Sequence, residues 1–189
     1  MPVVVFDFDK TLTKQDTVMG FLESASVKPL VPLRKWVMLC WAVLHKLKLI
    51  SNNRLKQAGV KLFLEGMSSE MIRQKAEQYA SGIQLNDLYR SEYLLKYPEA
   101  IIATASYEDY VKPLFGKSLI LGARLAYKDD VVSGLLRNSY GAQKVNLLRE
   151  QGIEKVDIFY TDSFSDQAVM DISETVYLVK NNSIKKIKG

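Results

Sequence analysis

Residues 3–13 read VVVFDFDKTLT and give the clearest indication of the fold. The first half of this stretch is a run of β-branched and aromatic residues, which is typical of a strand buried on both faces inside a parallel sheet. Asp7 and Asp9 then fall at the carboxyl end of that strand, where open α/β sheets bind their ligands. Both carboxylates can be directed at one site if the chain leaves the strand at Asp7. A divalent cation would offset their mutual repulsion.

The composition is that of an ordinary globular protein, with 189 residues, of which 48% are hydrophobic and 25% charged. This length suffices for one good core with a modest insertion. Cys40 is the only cysteine, so an intramolecular disulfide is excluded and a reducing compartment is expected. Nothing before the first strand resembles a signal peptide, so the cytoplasm is the expected location, with peripheral contact to the inner face of a membrane as an addition.

The net charge is +5, which raises the question of a nucleic-acid or anionic-membrane partner. The basic residues are interpreted as dispersed, and only Lys185-Lys186-Ile187-Lys188 forms a short basic run. That run is expected to be a solvated terminus. No nucleic-acid partner is expected, and weak attraction to phosphates or acidic lipid is all that the composition supports.

A long helical segment separates the first strand from the remaining strands. Residues 16–97 show helical periodicity, few strand signals and no internal repeat. Asp16-Thr17 is predicted to cap the first helix, and Ser68 or Ser69 a later one that Gly82 stops. We therefore predict a helical domain over residues 15–97, inserted into an α/β core formed by residues 1–14 and 98–189.

Within this segment residues 36–44, WVMLCWAVL, form an unbroken apolar run with basic residues on both sides. The run is too short for a membrane span, which needs ~20 apolar residues. It predicts either a buried helix of the helical domain or a helix lying in a membrane interface, with tryptophans and basic residues at headgroup level. Cys40 is interpreted as a small hydrophobe, and His45 as an interface or packing residue rather than a base.

The α/β pattern returns after Pro98. Strands are predicted at residues 100–104, 119–122 and 156–161, with a last strand at 175–179, and a hairpin is predicted around Asp129-Asp130. Ser106-x-x-Asp109 is interpreted as a capping box that opens a helix, and another helix follows Gly141. Strands alternating with helices predict a doubly wound, Rossmann-like parallel sheet with right-handed crossovers.

Four polar elements follow predicted strands in chain order and are expected to converge at one edge of the sheet. They are Asp7-Phe8-Asp9-Lys10-Thr11-Leu12-Thr13, Thr104-Ala105-Ser106, Gly141-Ala142-Gln143-Lys144 and Asp162-Ser163-Phe164-Ser165-Asp166. In order and residue type they resemble the haloacid dehalogenase-like (HAD) superfamily, and within it the phosphoserine phosphatase-like branch, subfamily IB. The resemblance covers essentially the whole chain and implies an α/β core with a helical cap inserted after the first motif.

The resemblance also implies a Mg²⁺-dependent phosphatase that works through an aspartyl-phosphate. Asp7 would be the nucleophile, and Asp9 the acid and base. Mg²⁺ would be held by Asp7, by the main-chain carbonyl of Asp9 and by Asp162, with Asp166 as a ligand or as the holder of a metal-bound water. The residues expected to bind the phosphate are Thr104, Ala105 and Lys144.

Several alternatives stay open from the sequence. Asp162 and Asp166 could simply cap a helix, and Asp129-Asp130 could be a turn or, less favoured, a metal site. The substrate could be a small soluble phosphomonoester or a lipid phosphate such as phosphatidylglycerophosphate, because the apolar run resembles that of bacterial phosphatases acting on that lipid. A phosphotransferase using the same aspartyl-phosphate and a non-catalytic phosphate-binding protein are the competing functions. The sequence does not indicate the oligomeric state.

Overall fold

A computed structural model describes residues 2–180 and 183–189, and in them a seven-stranded mixed sheet forms the centre of the protein. The strands are β1 Val4–Phe6, β2 Ile101–Tyr107, β3 Ile120–Lys128, β4 Val131–Arg137, β5 Val156–Thr161, β6 Ser173–Lys180 and β7 Ser183–Lys188. Their order in the sheet is β4-β3-β2-β1-β5-β6-β7. The five inner strands are parallel, and an antiparallel strand closes each edge.

The predicted doubly wound α/β fold is confirmed, because helices cover both faces of the parallel sheet. β1 lies at the centre between β2 and β5, with Phe6 opposite both Ile102 and Tyr160. Successive residues of β1 alternate between two buried clusters: Phe6 belongs to one and Val5 to the other. The continuous apolar run of β1 is therefore explained by burial on both faces.

Most of the helical structure lies between β1 and β2. This segment holds α1 Val18–Ala25, α2 Val31–Lys46, α3 Asn52–Phe63 and α4 Ser69–Ser81, followed by a π-helix at Tyr89–Leu94. After β2 come α5 Glu108–Val111, α6 Gln143–Glu150 and α7 Gln167–Asp171, with 3₁₀ turns at Lys112–Leu114 and Phe164–Asp166. The division into a core of 1–14 and 98–189 and a helical domain of 15–97 follows this order and stays a prediction.

Two of the predicted caps have other roles. Ser68 caps α4 by accepting from the Met71 amide, as expected. Of the predicted Asp16-Thr17 cap, Asp16 accepts from the Val18 amide at the start of α1 at 3.2 Å, whereas the Thr17 side chain does not bond the helix amides and is turned toward Asp9. Ser106 lies inside β2 and α5 begins only at Glu108, so the predicted capping box is wrong. Short polar side chains suit helix caps and strand ends equally well, which is why the sequence pattern was ambiguous.

The chain does not end with the predicted strand at residues 175–179. β7 pairs antiparallel with β6 and closes the open edge of the sheet. The basic run at residues 185–188 lies in β7 and its side chains are exposed, so the segment is solvated but is a strand rather than a loose tail. Since no residue of β7 is buried, its sequence lacks the alternation that would have predicted a strand.

The interpretation of residues 36–44 as a buried helix is wrong. They lie in α2, and no residue of α2 is buried. The helix rests on the protein through a single stripe of half-buried residues at positions 31, 34, 38, 41 and 45, spaced as one helical face. Its remaining apolar side chains are exposed. In the described residues no helix is long and apolar enough to cross a membrane.

Candidate active site

The site is built at the carboxyl end of β1. The Asp7 amide donates to the Tyr160 carbonyl of β5 at 2.8 Å, which continues the sheet pairing by one residue. The chain then turns tightly, since the Phe8 carbonyl accepts from the amides of Thr11 and Leu12 and the backbone of Lys10 is left-handed with φ of 58°. Phe8 is fully buried in the core. Asp7 and Asp9 on either side of it line the same cavity, as the sequence predicted for this pair.

Lys144, at the start of α6, binds both Asp7, the candidate nucleophile, and Asp166. Its Nζ atom lies 2.7 Å from Asp7 Oδ1 and 2.7 Å from Asp166 Oδ2, and all three side chains are buried. Thr161 donates to the same Asp166 oxygen at 3.1 Å, and Thr11 donates to Asp7 Oδ2 at 3.4 Å. A buried lysine held by two carboxylates is fixed in position, which suits the binding of a tetrahedral anion beside Asp7.

The charges in this cluster shift one another's pKa. Burial alone would lower the pKa of Lys144, but Asp7 and Asp166 raise it to about 12, so the lysine stays charged. Burial, opposed by Lys144 and reinforced by Asp166, raises the pKa of Asp7 to about 7. A cation bound at Asp7 would favour the ionised form that a nucleophile needs.

Asp9 is held by three donors. The Thr17 amide and hydroxyl donate to its Oδ1 atom at 2.9 and 2.6 Å, and the Ser106 hydroxyl donates to its Oδ2 atom at 2.5 Å. The Tyr110 hydroxyl lies 2.9 Å from that of Thr17 and extends the network into the core. Burial and the nearby Asp16 raise the pKa of Asp9 to about 6 despite these hydrogen bonds. A fixed carboxyl group with a raised pKa is suited to donating and accepting a proton near neutral pH.

Thr104 and Ala105 lie in β2, beside β1. Thr104 is fully buried, and its hydroxyl accepts from the Ser106 amide at 3.0 Å. Its carbonyl accepts from the Ser139 hydroxyl at 2.5 Å. Among the described residues, Ala105 lines the cavity and Thr104 does not. The phosphate-binding role expected for both residues stays a prediction. Of the two, Ala105 is the one that a ligand in the cavity would contact.

Lys56 is a site residue that the sequence analysis missed. It projects from α3, is buried, and donates from Nζ to the Ala105 carbonyl. The same atom lies 5.9 Å from the centre of the Tyr107 ring. Burial lowers the pKa of Lys56 to about 7, although Asp9 and Asp16 oppose the shift. Lys56 lies on the same face of α3 as the buried residues Gly59 and Val60, but a lysine within a helix carries no local signal in the sequence that it will be buried.

These residues surround a cavity of about 600 Å³. Its polar end holds the carboxylates and lysines of the sheet edge, including Asp162 and Asp166. Its other walls come from the helices between β1 and β2 and are mainly apolar, with Val18, Met19, Leu22, Met38, Leu39, Ala42 and Leu55. A ligand in this cavity would meet charge at one end and hydrocarbon at the other.

The oxygen donors at the polar end fit a magnesium ion. Asp7 and Asp162 both line the cavity, and burial together with the charge of Asp166 raises the pKa of Asp162. Within residues 2–180 and 183–189, no three His, Cys, Asp or Glu side chains are grouped closely enough to form a metal site by themselves. Mg²⁺ usually needs only one or two carboxylates, and takes its other ligands from water and substrate phosphate. Asp7, Asp162 and the Asp9 carbonyl would meet that requirement, with Asp166 tied to Lys144 beside them.

Taken together, the fold and the site define an α/β enzyme with paired acids at the end of its first strand. A family model described as haloacid dehalogenase-like hydrolase matches residues 4–171. The chain belongs to this family, as the motifs predicted.

Comparisons with individual proteins agree with this assignment. Protein CicA of Caulobacter vibrioides is 29% identical over 184 residues, covering 87% of this chain and 78% of CicA. A protein of unknown function from Bordetella pertussis Tohama I has a similar structure, with a TM-score of 0.72, 17% identity and coverage of 90% and 86% of the two chains. A phospho-aspartyl intermediate analogue of phosphoserine phosphatase gives a TM-score of 0.56 and 16% identity, covering 93% and 84%. The predicted likeness to the phosphoserine phosphatase fold is confirmed.

Proposed function

We propose that this protein is a Mg²⁺-dependent phosphomonoester phosphatase that works through an aspartyl-phosphate on Asp7. The observation that carries the proposal is the buried contact of 2.7 Å between Lys144 Nζ and Asp7 Oδ1 at the end of an open cavity. A carboxylate with a fixed cation beside it is arranged to attack phosphorus while the cation binds the phosphoryl oxygens.

In the first step an Asp7 carboxylate oxygen forms a bond to phosphorus and the bond from phosphorus to the ester oxygen breaks. Asp9, held by Thr17 and Ser106, gives its proton to the departing oxygen. In the second step Asp9 takes a proton from a water molecule, whose oxygen attacks phosphorus and releases Asp7 and inorganic phosphate. Lys144 neutralises phosphoryl charge in both steps. When bound, Mg²⁺ supplies further neutralisation of charge between the nucleophile and the phosphate.

The substrate is a phosphomonoester, either a small soluble one or a lipid phosphate. The apolar walls formed by Met38, Leu39 and Ala42 of α2 favour an ester whose organic part is itself largely apolar. The helices of residues 15–97 would thus select the substrate and the α/β core would carry out the chemistry, in the cytoplasm.

The test is phosphate release from a panel of phosphomonoesters with and without Mg²⁺. The panel contains a chromogenic aryl phosphate, phosphoserine, sugar phosphates, nucleotides and dispersed phosphatidylglycerophosphate. We expect release that EDTA and Asp7→Asn each abolish, while the exposed-site control Asp171→Asn retains it. Release that persists in Asp7→Asn, or that does not respond to EDTA, would contradict the proposed mechanism.

A further inference from the structure

The outer face of α2 is an unusually apolar surface. We call it the α2 face and define it as Leu33, Trp36, Val37, Leu39, Val43, Leu44 and Leu47, the last of which follows the helix directly. Trp36 is 69% exposed, Leu33 58% and Val43 56%. Single exposed apolar residues are ordinary, but a helix with this many on one side normally has something covering it.

The charge around this face is segregated, and the interpretation of dispersed charge is therefore wrong. Residues 24–64 contain eight Lys and Arg residues and no Asp or Glu. The rest of the chain has 18 basic and 21 acidic residues, a net charge of −3, so the whole positive excess of the protein lies in the segment that contains α2. Lys46 and Lys48 are exposed at the end of the helix, beside Leu47.

The α2 face is continuous with the active-site cavity. Met38, Leu39 and Ala42 line the cavity, and Leu39 is also 46% exposed on the outer face. α2 spans 16 residues, or roughly 24 Å, which is enough to lie along a surface but not to cross a bilayer. Whatever α2 contacts therefore lies next to the opening that leads to Asp7.

We infer that the α2 face docks onto the surface of a bilayer that contains anionic lipid, and that the cavity takes its phosphomonoester from a lipid in that bilayer. The second part rests on the proposed function; the first does not. Exposed Trp and Leu on one side of a helix with basic residues at its end are the features of an interfacial helix. Anionic headgroups attract the exposed Lys and Arg residues of the segment, a set that excludes the buried Lys56.

A second copy of this chain could also cover the α2 face, but the basic charge of residues 24–64 disfavours such a dimer. A two-fold dimer through the α2 face would bring two copies of the same acid-free, basic segment together. Like charges placed opposite one another oppose such an association. An anionic surface is complementary to the same charge.

The test measures binding of the full chain to vesicles of phosphatidylcholine alone and of phosphatidylcholine with phosphatidylglycerol, by flotation. We expect binding only to the mixed vesicles. The double variant Trp36→Ser/Val43→Ser should bind at least about tenfold more weakly. Its matched control Leu95→Ser/Leu136→Ser removes two apolar residues elsewhere that are at least as exposed, and should bind like the original protein.

A second pair of variants tests the charge. Lys46→Glu/Lys48→Glu should also weaken binding at least about tenfold, whereas Lys185→Glu/Lys186→Glu on β7 makes the same change in net charge and should have little effect. Equal loss in the two pairs would show non-specific attraction and overturn the inference. Absence of binding to the mixed vesicles would overturn it as well, as would a dimer in light scattering that Trp36→Ser/Val43→Ser dissociates.

Hydrolysis of a soluble aryl phosphate, measured on the same samples, separates this inference from the proposed function. None of the four varied sites on α2 or its end lines the cavity, so all variants should hydrolyse the soluble ester at the original rate. Hydrolysis without vesicle binding would reject the docking surface alone. Vesicle binding without any hydrolysis would reject the proposed function and, with it, the lipid substrate.

Discussion

The Nζ atom of Lys144 lies 2.7 Å from the Oδ1 atom of Asp7, although 137 residues separate the two in the chain. Asp7 directly follows β1, and α6 begins beside it on the same edge of the sheet, so the contact is a direct product of the doubly wound topology. Lys144 also binds Asp166. One buried cation thus fixes two carboxylates around the point where a phosphoryl group would be transferred.

Replacing this cation should remove activity. We expect Lys144→Met to lower kcat/KM for an aryl phosphate by about 100-fold or more, because the charge that neutralises the transferring group is lost. The substitution also leaves Asp7 and Asp166 buried without their partner, so unfolding should require about 3 kcal/mol less free energy. Steady-state kinetics and urea unfolding measure the two effects.

The matched control is Lys155→Met at an exposed site, which should change neither quantity. If Lys144→Met retained the original kcat/KM, the role given to Lys144 would have to be abandoned, whatever its effect on stability.

The Ser106 hydroxyl bonds to Asp9 and should matter most when the leaving oxygen needs a proton. We expect Ser106→Ala to slow the hydrolysis of an alkyl phosphate by about tenfold and that of an aryl phosphate by only about twofold, because an aryl oxide leaves without help from an acid. Asp9→Asn should show the same selectivity more strongly. Comparison of the two substrates in each variant is the measurement.

A purely structural role for Ser106 would slow both substrates equally, and that result would contradict the assignment. Ser81→Ala, at an exposed serine of α4, serves as the control.

The strand β1, the two acids that follow it and the order of the motifs could be predicted because each carries its own local signal. Residues 3–13 alone predict a strand that is buried on both faces and followed by two acids. The network around Asp9 was not predictable in the same way. Thr17 and Ser106 were interpreted as helix caps, and only the packing of α1 against β2 and α5 turns both hydroxyls toward Asp9.

Lys56 and α2 show a second limit of the sequence. A lysine in an exposed-looking helix is normally solvated, and nothing local indicates that α3 places Lys56 over the Ala105 carbonyl. The apolar run of residues 36–44 was equally compatible with burial and exposure, because hydrophobicity favours removal from water without specifying the partner. The burial of Lys56 and the exposure of residues 36–44 both depend on how distant parts of the chain pack together.

The burial of Lys56 predicts a pH dependence of stability. In the unfolded chain this lysine keeps its proton up to the ordinary pKa of 10.5, whereas in the folded protein burial lowers the pKa to about 7. Between these values the unfolded state binds one proton more, so the contribution of Lys56 to the free energy of unfolding rises with pH. Asp9 and Asp16 oppose the shift and Lys144 adds to it.

We therefore expect Lys56→Met to gain stability relative to the original protein at pH 7, and the gain to shrink or reverse by pH 9.5. Urea unfolding of both proteins at the two pH values measures this difference, with Lys117→Met as an exposed control. A gain of equal size at both pH values would contradict a buried, neutralised Lys56.

Glu108 is a buried acid at the centre of a second charge cluster, away from the chemistry, and its cationic partners are partly exposed. Its carboxylate accepts from the Gly122 amide at 3.0 Å and pairs with Lys112, Arg124 and Arg137. Burial raises the pKa of Glu108, but these hydrogen bonds and charges outweigh it and hold the pKa below its usual 4.5. The stabilisation is therefore present above the unfolded-state pKa and is lost as the pH falls through the lower folded-state value.

At neutral pH we expect Glu108→Gln to lower the free energy of unfolding by about 2 kcal/mol, because the charge-assisted hydrogen bonds of the carboxylate are lost while its cationic partners stay in contact with water. The exposed pair of Glu154 with Arg149 provides the control, and Glu154→Gln should cost less than about 1 kcal/mol. The difference between Glu108→Gln and the original protein should narrow below the folded-state pKa. A difference that stays constant from neutral pH into acid would contradict the ionic account.

In the proposed mechanism Asp7 carries the phosphoryl group during turnover. The measurement is to mix the protein with Mg²⁺ and an aryl phosphate, quench in acid within the first turnover, and map the modified peptide by mass spectrometry. The mechanism predicts the added mass of one phosphoryl group on Asp7, absent from Asp7→Asn and from samples treated with EDTA. Turnover with no modified residue, or with the phosphoryl group on a residue other than Asp7, would contradict it.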